Sequence, residues 1–228
     1  MGPASMNSPV FERGKHIYRN DAFVELLKDA VRFFNGTPVH ELPPLEAFTG
    51  TGVYAIYCIG KTSPYQKYGE LNRLAYNHPI YVGKAVPKGW RQSRISDDAS
   101  STSSELHSRL REHGRSISST FRVDRTGLQS ELQLGDFKCR FVIFEGDASD
   151  MIGTIEAALI KLHRPLWNTT LDGFGNHDPG KGRYQQARSD WDVIHPGRTW
   201  AEKCQGTAND RETILERIKA HLSHLGAA

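Results

Sequence analysis

Cysteine is scarce in this chain of 228 residues: Cys58, Cys139 and Cys204 are an odd count at wide spacing. That pattern offers no disulfide framework. The first two lie inside apolar, strand-like runs, where cysteine behaves as a small hydrophobe, so structural burial is expected in place of zinc or disulfide chemistry. The histidines and cysteines supply neither a CxxC nor an HxxxH pattern, which argues further against a zinc site. Long apolar runs are missing too: no stretch approaches the roughly 18 consecutive apolar residues that a membrane span needs. The polar opening from Met1 to Lys15 lacks the apolar core of a secretory signal, so the cytoplasm is the expected compartment. Internal repeats are absent. One sign of charge barely exceeds the other, 29 Lys and Arg against 26 Asp and Glu, and a net +3 alone does not establish a nucleic-acid partner.

What is present suffices for a folded core, with 38% hydrophobic residues. Residues 1–15 are expected to be a flexible tail and 16–228 one α+β domain, with a core at about 52–170 and a C-terminal extension at about 171–228. Asn20 and Asp21 resemble helix caps, and Phe23, Leu26, Leu27, Ala30, Val31 and Phe34 recur at helical spacing until Gly36. Thr37 to Pro44 reads as a proline-broken link. Three runs rich in β-branched and aromatic residues predict strands: Gly52 to Gly60, Pro79 to Ala85 and Phe137 to Glu145. Lys61 to His78 and Val86 to Ser104 are longer than hairpin loops and read as insertions. Thr102-x-x-Glu105 gives a capping-box signal for a helix from Ser104 to Glu112 that closes near Gly114. Residues 116–136 show no periodicity and predict a polar excursion. A helix follows from Ser149 or Asp150 to Pro165, then a glycine-rich loop, and last an amphipathic helix from Asn209.

Several positions could carry chemistry. Glu156 falls inside the apolar stripe formed by Ile152, Ile155, Leu159 and Ile160. A carboxylate there needs a cation, a metal or hydrogen-bond donors, unless it reaches water at the helix edge. Arg109 and His113 are four apart and share a helix face; a guanidinium is suited to clamping phosphate, though a solvated pair has the same spacing. Tyr54 and Tyr81 lie in neighbouring strands and would be adjacent on one sheet face, as core packing also allows. Lys84, past the second tyrosine, could lie close to the phenols. Asn168 could tie its loop to the sheet or contact a substrate. Residues 80–125 carry nine Lys and Arg against five Asp and Glu, so the basic surplus gathers around these positions.

The order of Gly52-Val53-Tyr54, Tyr81-Val82-Gly83-Lys84-Ala85, an Arg-x-x-x-His helix, a strand, a helix with one inward glutamate and Pro-x-x-Asn resembles the GIY-YIG nucleases across about 52–168. The segments RLAYNHPIYVGKAVPKGWRQSRIS, IEAALIKLHRPLWNTTLDGFGNH and SDWDVIHPGR are similar to the subgroup of type II restriction endonucleases that cut CCGCGG, over Ile17 to Cys204. Two departures are Val53 and Val82, in place of the usual isoleucine. A third is His113, where repair members often carry tyrosine; its role is then to carry a proton or to contact phosphate.

The resemblance implies a mostly antiparallel sheet flanked by helices. It implies that Tyr54 orients and deprotonates a water, with Lys84 and the metal as candidates to favour its anion. Glu156 would hold one divalent metal, Mg²⁺ with Mn²⁺ able to substitute, that stabilises the leaving 3′-oxygen. Arg109 would neutralise charge on the phosphorane, and Tyr81 would bond the phosphate or the water. Double-stranded DNA is the implied partner, and a palindrome asks for at least a homodimer, with a tetramer as the alternative. A G/C-only site asks for basic and amide side chains in the major groove, for which Lys88, Arg91, Gln92 and Arg94 and the late-loop residues Asn176, His177, Lys181 and Arg183 are candidates. In the cell such an enzyme works beside a DNA methyltransferase. Competing expectations are a repair or mobile-element endonuclease and a catalytically silent DNA-binding protein.

Overall fold

In the computed structural model of the protein, which describes residues 11–87, 90, 102–120 and 132–226, the apolar run at 52–58 is the central strand. Every residue of β2 (Gly52–Cys58) is buried, since strands cover both its edges and helices both its faces. β3 (Tyr81–Ala85) and β4 (Phe137–Ile143) flank it, and the short β1 (Val39–Glu41) lies beyond β4. All pairs are antiparallel, in the order β1-β4-β2-β3, as expected for a small α+β sheet. β1 is a correction to the sequence reading, which made 37–44 a link; three residues are too few for an alternating pattern to show.

The register fixes which side chains can meet. Tyr54 stands opposite Gly83 and Phe141, and Val53 opposite Lys84 and Val142. Because side chains alternate along a strand, Tyr54, Ile56, Cys58 and Tyr81 share one face, and Val53, Ala55, Tyr57, Val82 and Lys84 the other. The first face is covered by α3 (Glu105–Ser119), through Leu106, Leu110 and Ile117, and by Trp167, Phe174, Trp191, Ile214 and Ile218 from the C-terminal part. The second is covered by α1 (Asp21–Gly36) and α4 (Ile152–His163), through Phe34, Ile152, Ile155 and Leu159.

Helix ends follow local chemistry, with two corrections. The Asn20 side chain accepts from the Ala22 N–H and starts α1, yet only Leu27, Ala30, Val31 and Phe34 of its stripe pack on the core, while Phe23 is 45% and Leu26 50% exposed. α3 does not stop at Gly114 but runs to Ser119. A Cβ at Gly114 would come 3.1 Å from Pro43 Cδ, so this glycine permits a close approach and is not a stop signal. The N-cap of α3 is Ser104, and the Glu105 N–H donates to Ser103 Oγ at 3.3 Å. α4 ends on Arg164 in the left-handed conformation, φ 45°, directly before Pro165.

The insertion at 61–78 contains α2 (Gln66–Asn72). Of the expected polar excursion, 116–119 complete α3, 132–136 lead into β4, and 121–131 lie outside the described residues. α5 (Leu166–Thr169), α6 (Asp190–Ile194) and α7 (Arg211–His224) follow, the last capped by Asp210. Cys58 and Cys139 are buried free thiols, and burial pushes each up to about 12. Among the described residues no helix is long and apolar enough to cross a membrane.

Candidate active site

Tyr54 is the floor of the site. Its hydroxyl reaches across the edge strand β3, and a Cβ at Gly83 would lie 2.5 Å from that hydroxyl, so the glycine of the second tripeptide leaves the room the phenol fills. Tyr81, two residues earlier on the same face, stands diagonally beside it with ring centroids 6.2 Å apart. Tyr54 is fully buried, and its hydroxyl shares a 2.6 Å hydrogen bond with His113 Nε2 from α3. Burial drives the Tyr54 phenol well above its usual range, helped by Tyr81 and opposed by Arg109. Burial likewise drives His113 well below the usual imidazole value, with Arg109 adding to it. Both partners are therefore neutral at pH 7, and the phenol and the imidazole are within reach for a proton to pass between them.

Arg109, one turn before His113, lies above this pair. Its guanidinium donates to Glu112 Oε2 at 2.9 Å and to the Gly175 carbonyl at 3.4 Å, and it meets His177. Burial lowers the Arg109 value, but Tyr54 and Glu112 outweigh it and the net direction is upward. Phe174, on the same glycine-rich loop, stacks on His113 at 4.7 Å and 17°. The loop thus closes over both residues of α3.

Lys84 and Glu156 lie on the opposite sheet face, where they form an ion pair at the edge of β3. Their side chains are 32% and 18% exposed, so Glu156 sits at the rim of the apolar stripe, with the cation as its partner. The charge on Glu156 is near enough to raise both phenols. Lys84 is not placed beside the phenols as the sequence reading has it, because position 84 alternates away from position 81; Arg109 is the cation that acts on Tyr54. Asn168, on α5, hydrogen-bonds the backbone of Val82, so it ties its loop to the sheet.

A metal has one carboxylate here. Among the described residues no three or more His, Cys, Asp or Glu side chains gather into a cage. Glu156, paired with Lys84 and partly open to solvent, fits a Mg²⁺ that keeps several waters and takes oxygens from a phosphate. It does not fit a zinc ion, which needs three or four protein ligands.

Of the candidate DNA contacts, Lys88, Arg91, Gln92 and Arg94 lie outside the described residues. Asn176, His177, Lys181 and Arg183 are exposed on the late loop. His177 meets the Arg109 guanidinium, a contact that sequence spacing does not reveal. Glu112, Phe174, Asp192 and Arg198 also shape the site and were not singled out in the sequence. Glu112 has a legible signal, i+3 from Arg109; the others come from remote segments.

The glycine that makes room for the first tyrosine, and the two helices that bring Arg109 and Glu156 to one sheet edge from opposite faces, define a GIY-YIG nuclease fold. Residues 46–222 match the family described as the Eco29kI GIY-YIG domain. The chain belongs to this family of restriction endonucleases, and the match extends through the glycine-rich loop, α6 and most of α7. No curated protein matches the chain.

Proposed function

We propose that the protein is a type II restriction endonuclease that hydrolyses phosphodiester bonds of double-stranded DNA at CCGCGG, as a homodimer with one Mg²⁺ per site. The observation that carries this reading is the buried hydrogen bond between Tyr54 and His113 beneath Arg109. A neutral phenol is a poor base. With a neutral imidazole on its hydroxyl, Tyr54 takes a proton from the attacking water as its own passes to His113. The water oxygen bonds to phosphorus, the bond to the 3′-oxygen breaks, and that oxygen leaves as a hydroxyl after taking a proton from solvent.

Arg109 sits where charge accumulates on the non-bridging oxygens. Glu156 holds the Mg²⁺, which when bound supplies positive charge against the leaving oxygen. Tyr81, only partly buried, lies where a phosphate would first arrive. Because Tyr54 is fully covered, its oxygen meets water only once DNA draws Arg109 away from His177 and Gly175. The charge of a phosphate favours that exchange, being a stronger acceptor than a carbonyl or a neutral imidazole.

Two equivalent cuts in a palindrome call for two sites related by a twofold axis, which supports the homodimer. Tyr54→Phe tests the proton path, since it removes one hydroxyl and preserves the ring. Binding to a CCGCGG duplex in Ca²⁺ should persist while single-turnover cleavage falls by about 100-fold or more, the scale of general base catalysis. Cleavage at the wild-type rate would remove Tyr54 from the chemistry.

A further inference from the structure

Arg198 lies far in sequence from Tyr54, Arg109 and His113, yet its side chain is fully bonded next to the site. It is 6% exposed, and all five of its N–H groups are engaged. Nε donates to Asp192 Oδ1 at 2.7 Å and one Nη to Oδ2 at 2.7 Å, a forked pair. The remaining three hydrogens go to backbone carbonyls of the glycine-rich loop: Gly173 at 2.8 Å, Phe174 at 3.0 Å and Asn176 at 3.1 Å. Trp191 and Trp200 lie over the guanidinium at 4.7 and 4.8 Å. Asp192 is held in turn by the Ser189 hydroxyl at 2.6 Å.

A buried ion pair of this kind gains little stability over apolar side chains of the same volume, because desolvation offsets the attraction. What it does here is fix a conformation. Phe174 and Asn176, whose carbonyls it binds, bracket Gly175, which holds Arg109, and His177, the other loop partner of Arg109, comes next. The Phe174 ring stacks on His113. One guanidinium therefore sets the backbone from which both α3 residues are approached. We infer that Arg198, clamped by Asp192, is a positioning residue for cleavage, holding the 173–177 loop so that Arg109 and His113 keep their places over Tyr54. This rests on the nuclease reading above and deepens it.

The test uses the full chain with a CCGCGG duplex. Arg198→Lys keeps the charge but cannot make the fork and three carbonyl bonds together. It should bind the duplex in Ca²⁺ with a Kd within about threefold of wild type while single-turnover cleavage slows by about 100-fold, the scale of a 1 Å misplacement. A purely structural role would lower the folded fraction and leave the rate of the folded molecules unchanged. A double-mutant cycle with His177→Ala separates the two further: if Arg198 acts through the loop, the two losses are strongly non-additive, and if they multiply independently the inference fails.

Should Arg198→Lys not fold, Ser189→Ala, which loosens Asp192 and leaves the ion pair, carries the test. Slower cleavage at unchanged Kd supports the role, and a wild-type rate overturns it. If the wild type itself cuts no DNA, the nuclease reading fails. If it cuts and the variants cut equally well, only the positioning role fails.

Discussion

Asn168 pairs with Val82 as a further strand residue would. Its amide oxygen accepts from the Val82 N–H and its amide nitrogen donates to the Val82 carbonyl, each at 2.8 Å. Among the described residues β3 is an edge strand with no strand beyond it, so this one side chain satisfies Val82 backbone groups that face away from β2 beside the two tyrosines.

Asn168→Ala leaves those two groups to whatever water can reach them. The expected cost is about 1–3 kcal/mol. Urea unfolding of the variant should show a lower midpoint at unchanged m-value, together with slower cleavage because the Tyr81 strand loosens. A variant as stable as wild type but inactive would instead make Asn168 a substrate contact.

Gly83→Ala puts a methyl into the space of the Tyr54 hydroxyl, which lies 2.5 Å from a Cβ built there. Overpacking of this kind costs about 1–3 kcal/mol. The variant should keep its far-ultraviolet circular dichroism, lose cleavage, and unfold at lower urea. Full activity would show that Tyr54 does not need its position across β3.

Acid should unfold the protein through its buried histidines. His195, hydrogen-bonded to Tyr65 at 2.6 Å, is lowered by burial to about 3, and His113 is lowered in the same direction. Both values are depressed on folding, so the unfolded chain binds more protons between the folded value and the unfolded one near 6.5. Stability is thus complete above about pH 6.5 and declines as pH falls, by about 1.4 kcal/mol per unit for each group, with the loss from His195 finished near pH 3. Urea midpoints measured from pH 7.5 to 4.5 should drop below 6.5, and His195→Gln should flatten the drop. A midpoint independent of pH across that range would contradict the account.

The core of this fold was readable because β2 is a fully buried apolar run, β3 and β4 are rich in β-branched and aromatic residues, and the helices that cover the sheet keep an apolar stripe. The two tyrosines, Arg109 with His113, and Glu156 could each be placed on an element from periodicity alone. What stayed hidden depended on register and on remote contacts. Whether Lys84 faces the phenols is decided by a single step of alternation, and no local pattern shows that Glu156 meets it on the face covered by α4. Gly114 reads as a stop in sequence and is a packing residue in space, because the reason for it, Pro43, is over 70 positions away. Arg198 carries no periodic signal at all; only the fold brings it under residues 173–176.

The most direct test of the central claim is digestion of a plasmid with one CCGCGG site, beside an identical plasmid without it, in Mg²⁺ or EDTA, by wild type and Glu156→Gln. The account predicts linear product from the first plasmid alone, in Mg²⁺ alone, and none from the variant. Nicking of both plasmids would keep the nuclease and remove the sequence specificity, while cleavage by Glu156→Gln at the wild-type rate would contradict the assignment of the metal and the site built around it.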